Sequence, residues 1–231
     1  MAYKPKNNAE EVFERGMACY YKGDDFNAIK EFDEAIRLDP DYAEAYVFRG
    51  VTWNAVSKFE QAIADLDKAI SLDPGSSTAY NSRGHIYVGK GQYDQAIEDF
   101  TKAIGIDSKY RQAYFFRGFA RKMKKEFELA LSDFTEAIKL DPKQVDAYDF
   151  RGQLYCLQLS QYDKAIEDFT EIIKLDPNNK KAYENRGYAY KQKGSFDLLK
   201  PDVEKLLSLD PNNSFAKTWS DYFKNREQNN S

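Results

Sequence analysis

The chain has 231 residues, 42 % hydrophobic and 31 % charged, with 34 Lys and Arg against 38 Asp and Glu for a net charge of −4. That balance gives no basic face for nucleic acid, and no apolar run approaches the ~20 residues a membrane-spanning helix needs. Cys19 and Cys156 lie far apart and outside any Cys-x-x-Cys spacing, and the opening MAYKPKNNAEE has no apolar core of a signal peptide, so the expectation is a soluble, cytoplasmic protein with reduced thiols.

Residues 1–8 are polar, contain Pro5 and read as a flexible lead. An Arg-Gly pair then recurs. Gly16, Gly50, Gly84, Gly118 and Gly152 are 34 residues apart, Gly187 follows after 35, and an Arg precedes each. A fixed period in this range marks an array of small units, not one globular core. The units are 9–42, 43–76, 77–110, 111–144, 145–179 and 180–213. Each carries two helical patterns. In the third, Tyr80, Gly84 and Tyr87 share one face of a first helix, and Ala96, Phe100 and Ala103 share one face of a second. Five units close on Asp-Pro, where proline forbids continuation of the helix; the third ends in Asp107-Ser108 and lacks that stop. The fifth unit has one extra residue near Leu157–Ser160, which predicts a longer turn. In the sixth, Pro201 predicts a second helix that starts late or kinks. From Ser214 the spacing of Phe215, Trp219 and Tyr222 predicts a last amphipathic helix that caps the array, with a frayed tail over the final residues of 214–231.

These residues resemble the tetratricopeptide repeat. The fourth unit carries the pattern as Tyr114, Gly118, Ala130, Phe134, Ala137 and Pro142, and the resemblance spans 9–213. It implies an all-α, right-handed superhelical solenoid of antiparallel helix pairs, with the first helices lining a concave groove. It also implies a protein–protein interaction scaffold, not an enzyme.

Where the family has Leu before the Gly, this chain has Arg throughout. An acid follows sixteen residues later, or seventeen in the fifth unit. The turn lies midway, so the two positions come side by side in an antiparallel pair. This predicts structural ion pairs Arg49–Asp65, Arg83–Asp99, Arg117–Asp133 and Arg151–Asp168, within a repeat or with its neighbour; a ligand-binding role is the alternative.

The resemblance also implies which positions face the groove: Phe13, Met17 and Tyr20 in the first unit, Val47, Phe48 and Val51 in the second, Asn81 and His85 in the third, Phe115, Phe116 and Phe119 in the fourth, and Phe150 in the fifth. Tyr, Gly and Ala already fill the helix-packing positions, so Phe48, Phe115, Phe116 and Phe150 read as surplus. A continuous patch of them suits a peptide or partner helix with apolar anchors. The alternatives are packing of the rings on one another and a groove filled by the chain's own tail or by another copy, which would make a self-associating array. The clamp with which some family members grip acidic chaperone C-termini is not matched at Phe13, Met17, Phe48, Thr78 and Ser82; in later units only Lys181 and Asn185 fit. His85 is the single histidine, and no metal spacing, phosphate loop or nucleophile motif is present. No metal and no cofactor is expected.

Overall fold

The structure, a computed structural model, describes residues 8–229. The greater part of the expected lead (1–7) and residues 230 and 231 lie outside them. The described residues form thirteen helices and no strand. They are α1 (Asn8–Tyr21), α2 (Asp25–Leu38), α3 (Ala43–Ala55), α4 (Phe59–Leu72), α5 (Ser77–Gly89), α6 (Tyr93–Ile106) and α7 (Arg111–Met123), followed by α8 (Phe127–Leu140), α9 (Val145–Leu157), α10 (Tyr162–Leu175), α11 (Lys180–Lys193), α12 (Phe196–Leu209) and α13 (Ser214–Asn229). The all-α array of antiparallel helix pairs expected from the sequence is what the chain adopts. It divides into two compact units, one ending at Lys124 and the other beginning at Lys125.

In the first unit α1 pairs with α2, α3 with α4 and α5 with α6. The first helices also adjoin one another, α1 with α3, α3 with α5 and α5 with α7. Among the described residues the second helices of this unit adjoin one another less closely, so the first helices form its tighter, inner face. In the second unit α9 pairs with α10, α11 with α12 and α13 packs on α12, while α9 and α11 adjoin.

The repeated glycine permits each pairing. A Cβ on Gly84 would stand 2.8 Å from the Phe100 ring, and one on Gly152 2.8 Å from Phe169. Phe32, Phe100, Phe134 and Phe169 are accordingly among the largest fully buried side chains, with Ala28, Ala62, Ala96, Ala130 and Ala165 beside them at 0 % exposure. Small residues let two helices close, and a ring fills the space left next to them.

Helix ends differ from the sequence reading in one respect. The aspartate makes a stop even where no proline follows it. Asp39, Asp73, Asp107, Asp141, Asp176 and Asp210 are all extended C-caps with φ between −126° and −151°. The carboxylate of each accepts the backbone N–H two residues on, as in Asp107 with Lys109 at 2.9 Å and Asp73 with Gly75 at 2.9 Å. This Asx turn explains why α6 ends in register without a proline. At the other end of each hairpin one residue takes left-handed geometry: Gly23, Ser57, Gly91, Lys125, Ser160 and Gly194, with φ from 53° to 75°. The 158–161 turn is one residue longer than the three-residue turn 56–58, and its closing bond runs from Gln161 N–H to Tyr155 O. Pro201 lies inside α12, which begins at Phe196 in the same register as the other second helices. The helix does not start late. In α13 Phe215 and Trp219 pack against the cluster of Leu199, Val203, Leu206, Ala216 and Phe223 as their spacing suggested, whereas Tyr222 is 41 % exposed and Phe223 beside it is buried instead.

Candidate functional site

The inner face of each unit rests on the arginines, so these come first. Arg83 on α5 donates from Nε and Nη2 to both oxygens of Asp99 on α6, at 2.8 and 2.7 Å. Its third nitrogen, Nη1, reaches Asp67 on α4 of the preceding hairpin at 2.5 Å. The guanidinium also lies over the rings of Tyr80 and Tyr87, 5.8 and 5.9 Å from their centroids. Arg49 repeats the arrangement with Asp65, Asp33 and Tyr46. Arg151 grips Asp168 and Thr135, and Arg186 grips Asp202 and Thr170. Arg117 donates to Thr101 Oγ1 at 3.1 Å, and Asp133 is buried at 2 % exposure. Arg49, Arg83, Arg151 and Arg186 thus each tie their own hairpin shut and tie it to the hairpin before. Burial pushes the Asp99, Asp168 and Asp202 carboxyls upward against the pull of their arginines. The hydrogen bond to Asp99 holds Arg83 above its ordinary value against burial, so the pair is ionic near neutral pH. All three nitrogens of Arg49, Arg83, Arg151 and Arg186 have an acceptor inside the array.

The second tooth of this ladder was overlooked in the sequence. Asp33, Asp67, Thr101, Thr135 and Thr170 each stand sixteen residues before an Arg, and that recurrence was the available signal.

The same offset governs the rings. Phe48 lies on Phe32, at 6.3 Å between centroids, and edge-on to Phe13 and Tyr20 at 5.7 and 5.9 Å. Phe116 stacks on Phe100 at 6.2 Å, and Phe150 stacks on Phe134 at 5.8 Å with an interplanar angle of 12°. Each of these rings covers the buried Phe of the preceding hairpin. They are half-buried packing residues and are not surplus to the fold. Four of the expected groove residues go further inside: Phe13 at 7 %, Val47 at 3 %, Asn81 at 5 % and Phe115 at 7 % exposure. They sit where adjacent first helices meet, and close helix approach removes their surface.

What remains on the inner face of the first unit is a row of half-buried side chains: Met17 and Tyr20 on α1, Phe48 and Val51 on α3, His85 on α5, and Phe116 and Phe119 on α7. His85 lies between Phe100 and Phe116, 5.6 and 3.8 Å away, and burial pushes its imidazole down to about 4, so it is neutral. Toward the α4–α5 turn the face deepens into a recess of about 280 Å³ lined by Ala43, Glu44, Val47, Phe48, Asp73, Ser76 and Thr78. In the second unit Phe150 follows Asp149 on α9. Asp149 accepts from Lys181 Nζ at 2.6 Å and Asn185 Nδ2 at 3.0 Å, so the two residues that matched a clamp position, both on α11, tie that helix to α9.

Cys156 is buried, which raises its thiol pKa, and Cys19 is half-buried; both are free. Among the described residues no group of three or more His, Cys, Asp or Glu is placed to hold a metal ion. No described helix is long and apolar enough to cross a membrane.

The chain was compared with known proteins. Tetratricopeptide repeat models match residues 43–76, 77–110, 112–144 and 180–213, and a TPR repeat model matches 16–52 and 152–194. No curated protein matches the chain. Among solved structures, the chain is similar to YrrB, described as a TPR protein with an unusual peptide-binding site, at 25 % identity and a TM-score of 0.72 over 82 % of this chain and 97 % of that one. It is also similar to MamA, at 28 % identity and a TM-score of 0.68 over 73 % and 92 % of the two chains. PilW, a type IV pilus biogenesis factor, shares the fold at 17 % identity and a TM-score of 0.74 over 92 % and 99 %. With its repeats matched across most of its length and its helix pairs in the same arrangement, the chain belongs to the tetratricopeptide repeat family, whose repeats build scaffolds for protein–protein interaction.

Proposed function

We propose that the inner face of the first unit binds a peptide or partner helix, with Met17, Tyr20, Phe48, Val51, Phe116 and Phe119 as the apolar contacts and His85 as a neutral polar one. The observation that carries the reading is the row itself. Partly exposed apolar side chains run across α1, α3 and α7 on the face where first helices adjoin, while all three nitrogens of Arg49 and of Arg83 are already engaged by acids of the array. Peptide binding by YrrB supports it by likeness. The rings add anchoring area at little entropic cost because the packing beneath them already fixes their rotamers. Peptide capture needs no catalytic step, no metal and no cofactor, and the free thiols suit a cytoplasmic site of action.

A displayed library of random twelve-residue peptides, selected on the purified chain, tests this. Peptides with apolar anchors are expected to be enriched. Met17→Glu with Val51→Glu is expected to weaken them at least tenfold while the helical circular dichroism stays unchanged. Selection of no peptide by the wild type, or equal binding by the variant, sinks the proposal.

A further inference from the structure

The hairpin turns of the first two repeats depart from the pattern of the others. Each later second helix opens on an aromatic followed by an acid: Phe59-Glu60, Tyr93-Asp94, Phe127-Glu128, Tyr162-Asp163 and Phe196-Asp197. The first opens on Asp25-Phe26, the same residue types in reverse order. One position is about 100° of helix rotation, so a ring that lies half-buried at Tyr93 and Phe127 stands in solvent at Phe26. The acid also has a partner that Phe26 cannot take. Glu60 pairs with Lys90 of the next turn at 3.1 Å, and Asp94 and Asp163 pair likewise with Lys124 and Lys193, each thirty residues on. Thirty residues after Phe26 stands Val56. Phe26 is 79 % exposed and Tyr21, across the turn 22–24, is 76 % exposed, the highest values of any large hydrophobic side chain among the described residues. Val56 at 39 % and Phe59 at 37 % continue the patch onto the next turn. Single exposed apolar residues are ordinary, but four on two successive turns form a patch that calls for a partner.

We propose that this patch is a contact between two copies of the chain, related by a twofold axis beside the α1–α2 turn. Charge selects that occupant. The rim holds Lys22 and Lys58 with Asp24 and Asp25, two of each sign, and Glu60 beside them is already paired with Lys90. A rim without net charge does nothing to steer an anionic membrane, a nucleic acid or a strongly acidic or basic protein to this place. It is complementary to its own image, since a twofold axis sets the lysines of one copy against the aspartates of the other and rings against rings. In a chain of net charge −4 it is also where two copies approach without bringing like charges together. The four side chains offer roughly 400 Å² of apolar surface per copy, about half of what each partner gives to a standard interface, so the dimer is weak and dissociates on dilution. The inner row of Met17, Phe48 and Val51 lies outside the contact and stays open to a peptide.

Sedimentation velocity of the full chain from about 10 μM to about 1 mM, a range that brackets weak association, tests this. The wild type is expected to pass from monomer to dimer and no further, because a contact of like with like closes at two copies. Exchanging the pair, Asp25→Phe with Phe26→Asp, gives the first hairpin the order of the other five. That variant is expected to keep its helical circular dichroism and to raise the dimer dissociation constant at least tenfold. Leu198→Asp removes a leucine that is 57 % exposed on α12 and is expected to dimerise as the wild type does. Met17→Glu with Val51→Glu is expected to do the same. A wild type that stays monomeric throughout, one that grows beyond a dimer, or an exchanged variant that dimerises equally well overturns the proposal. So does a dimer that Met17→Glu with Val51→Glu dissolves, since the second copy would then occupy the inner face and not the turns.

Discussion

Asp99 is 3 % exposed, accepts two hydrogen bonds from one guanidinium and has no other role. Replacing it with alanine leaves Arg83 buried beside Tyr80 and Tyr87 with one remaining acid, Asp67. Loss of one partner of a buried pair costs about 3–5 kcal/mol, whereas an exposed pair is worth about 0–1 kcal/mol. The geometry places Asp99→Ala in the first class and Glu31→Ala in the second, since Arg15 and Glu31 are 58 % and 27 % exposed. Urea unfolding of the two variants checks this, and equal midpoints would show that the ladder contributes nothing. The ladder's first rung was legible because the offset of sixteen and the midway turn fix which residues face each other. Its second rung and the stacked phenylalanines were not read, although they share that offset. Their partners lie in different repeats, and a reading that takes one repeat at a time assigns Phe48 no neighbour. The recess was not legible at all. Glu44, Asp73, Ser76 and Thr78 look like ordinary polar positions until packing brings α3 and the α4–α5 turn together.

The elements are short, and their ends carry the regularity. Every hairpin turn needs one residue with positive φ, and three of these are not glycine: Ser57, Lys125 and Ser160. An L-residue with a Cβ is strained there by roughly 1–2 kcal/mol, offset in part by the greater freedom glycine has when unfolded. Ser57→Gly is therefore expected to stabilise the chain by roughly 0.5–1 kcal/mol. A lower urea midpoint for that variant would mean that the serine makes a contact worth more than the strain. The helix boundaries were readable from the Asp-Pro pairs, though proline is not the only cause. Asp107 shows that the carboxylate bonding forward is sufficient. Pro201 misled for a related reason. The packing of Leu199, Val203 and Leu206, all within 1 % of full burial, outweighs one missing hydrogen bond in α12.

Within each unit stability is distributed through nearest neighbours, since successive hairpins touch at α2–α3, α4–α5 and α6–α7 in the first and at α8–α9, α10–α11 and α12–α13 in the second. Among the described residues Arg15 bonds Glu31 alone and is largely exposed, while Arg49 and Arg83 are about four-fifths covered and bonded on two sides. Backbone amides of α1 are therefore expected to exchange with deuterium at least tenfold faster than those of α5, with α3 between them. Uniform protection across the three would mean that the unit opens only as one body.

The stacked rings set a rule on how such a chain can change by duplication. Phe32 meets Phe48, Phe100 meets Phe116 and Phe134 meets Phe150, but the same two places between the second and third hairpins hold Leu66 and Ser82. Copies of one module are thus not interchangeable bricks. Moving the third hairpin to follow the first would set Ser82 against Phe32 and leave that ring uncovered, so the order of the modules is itself written into the joints.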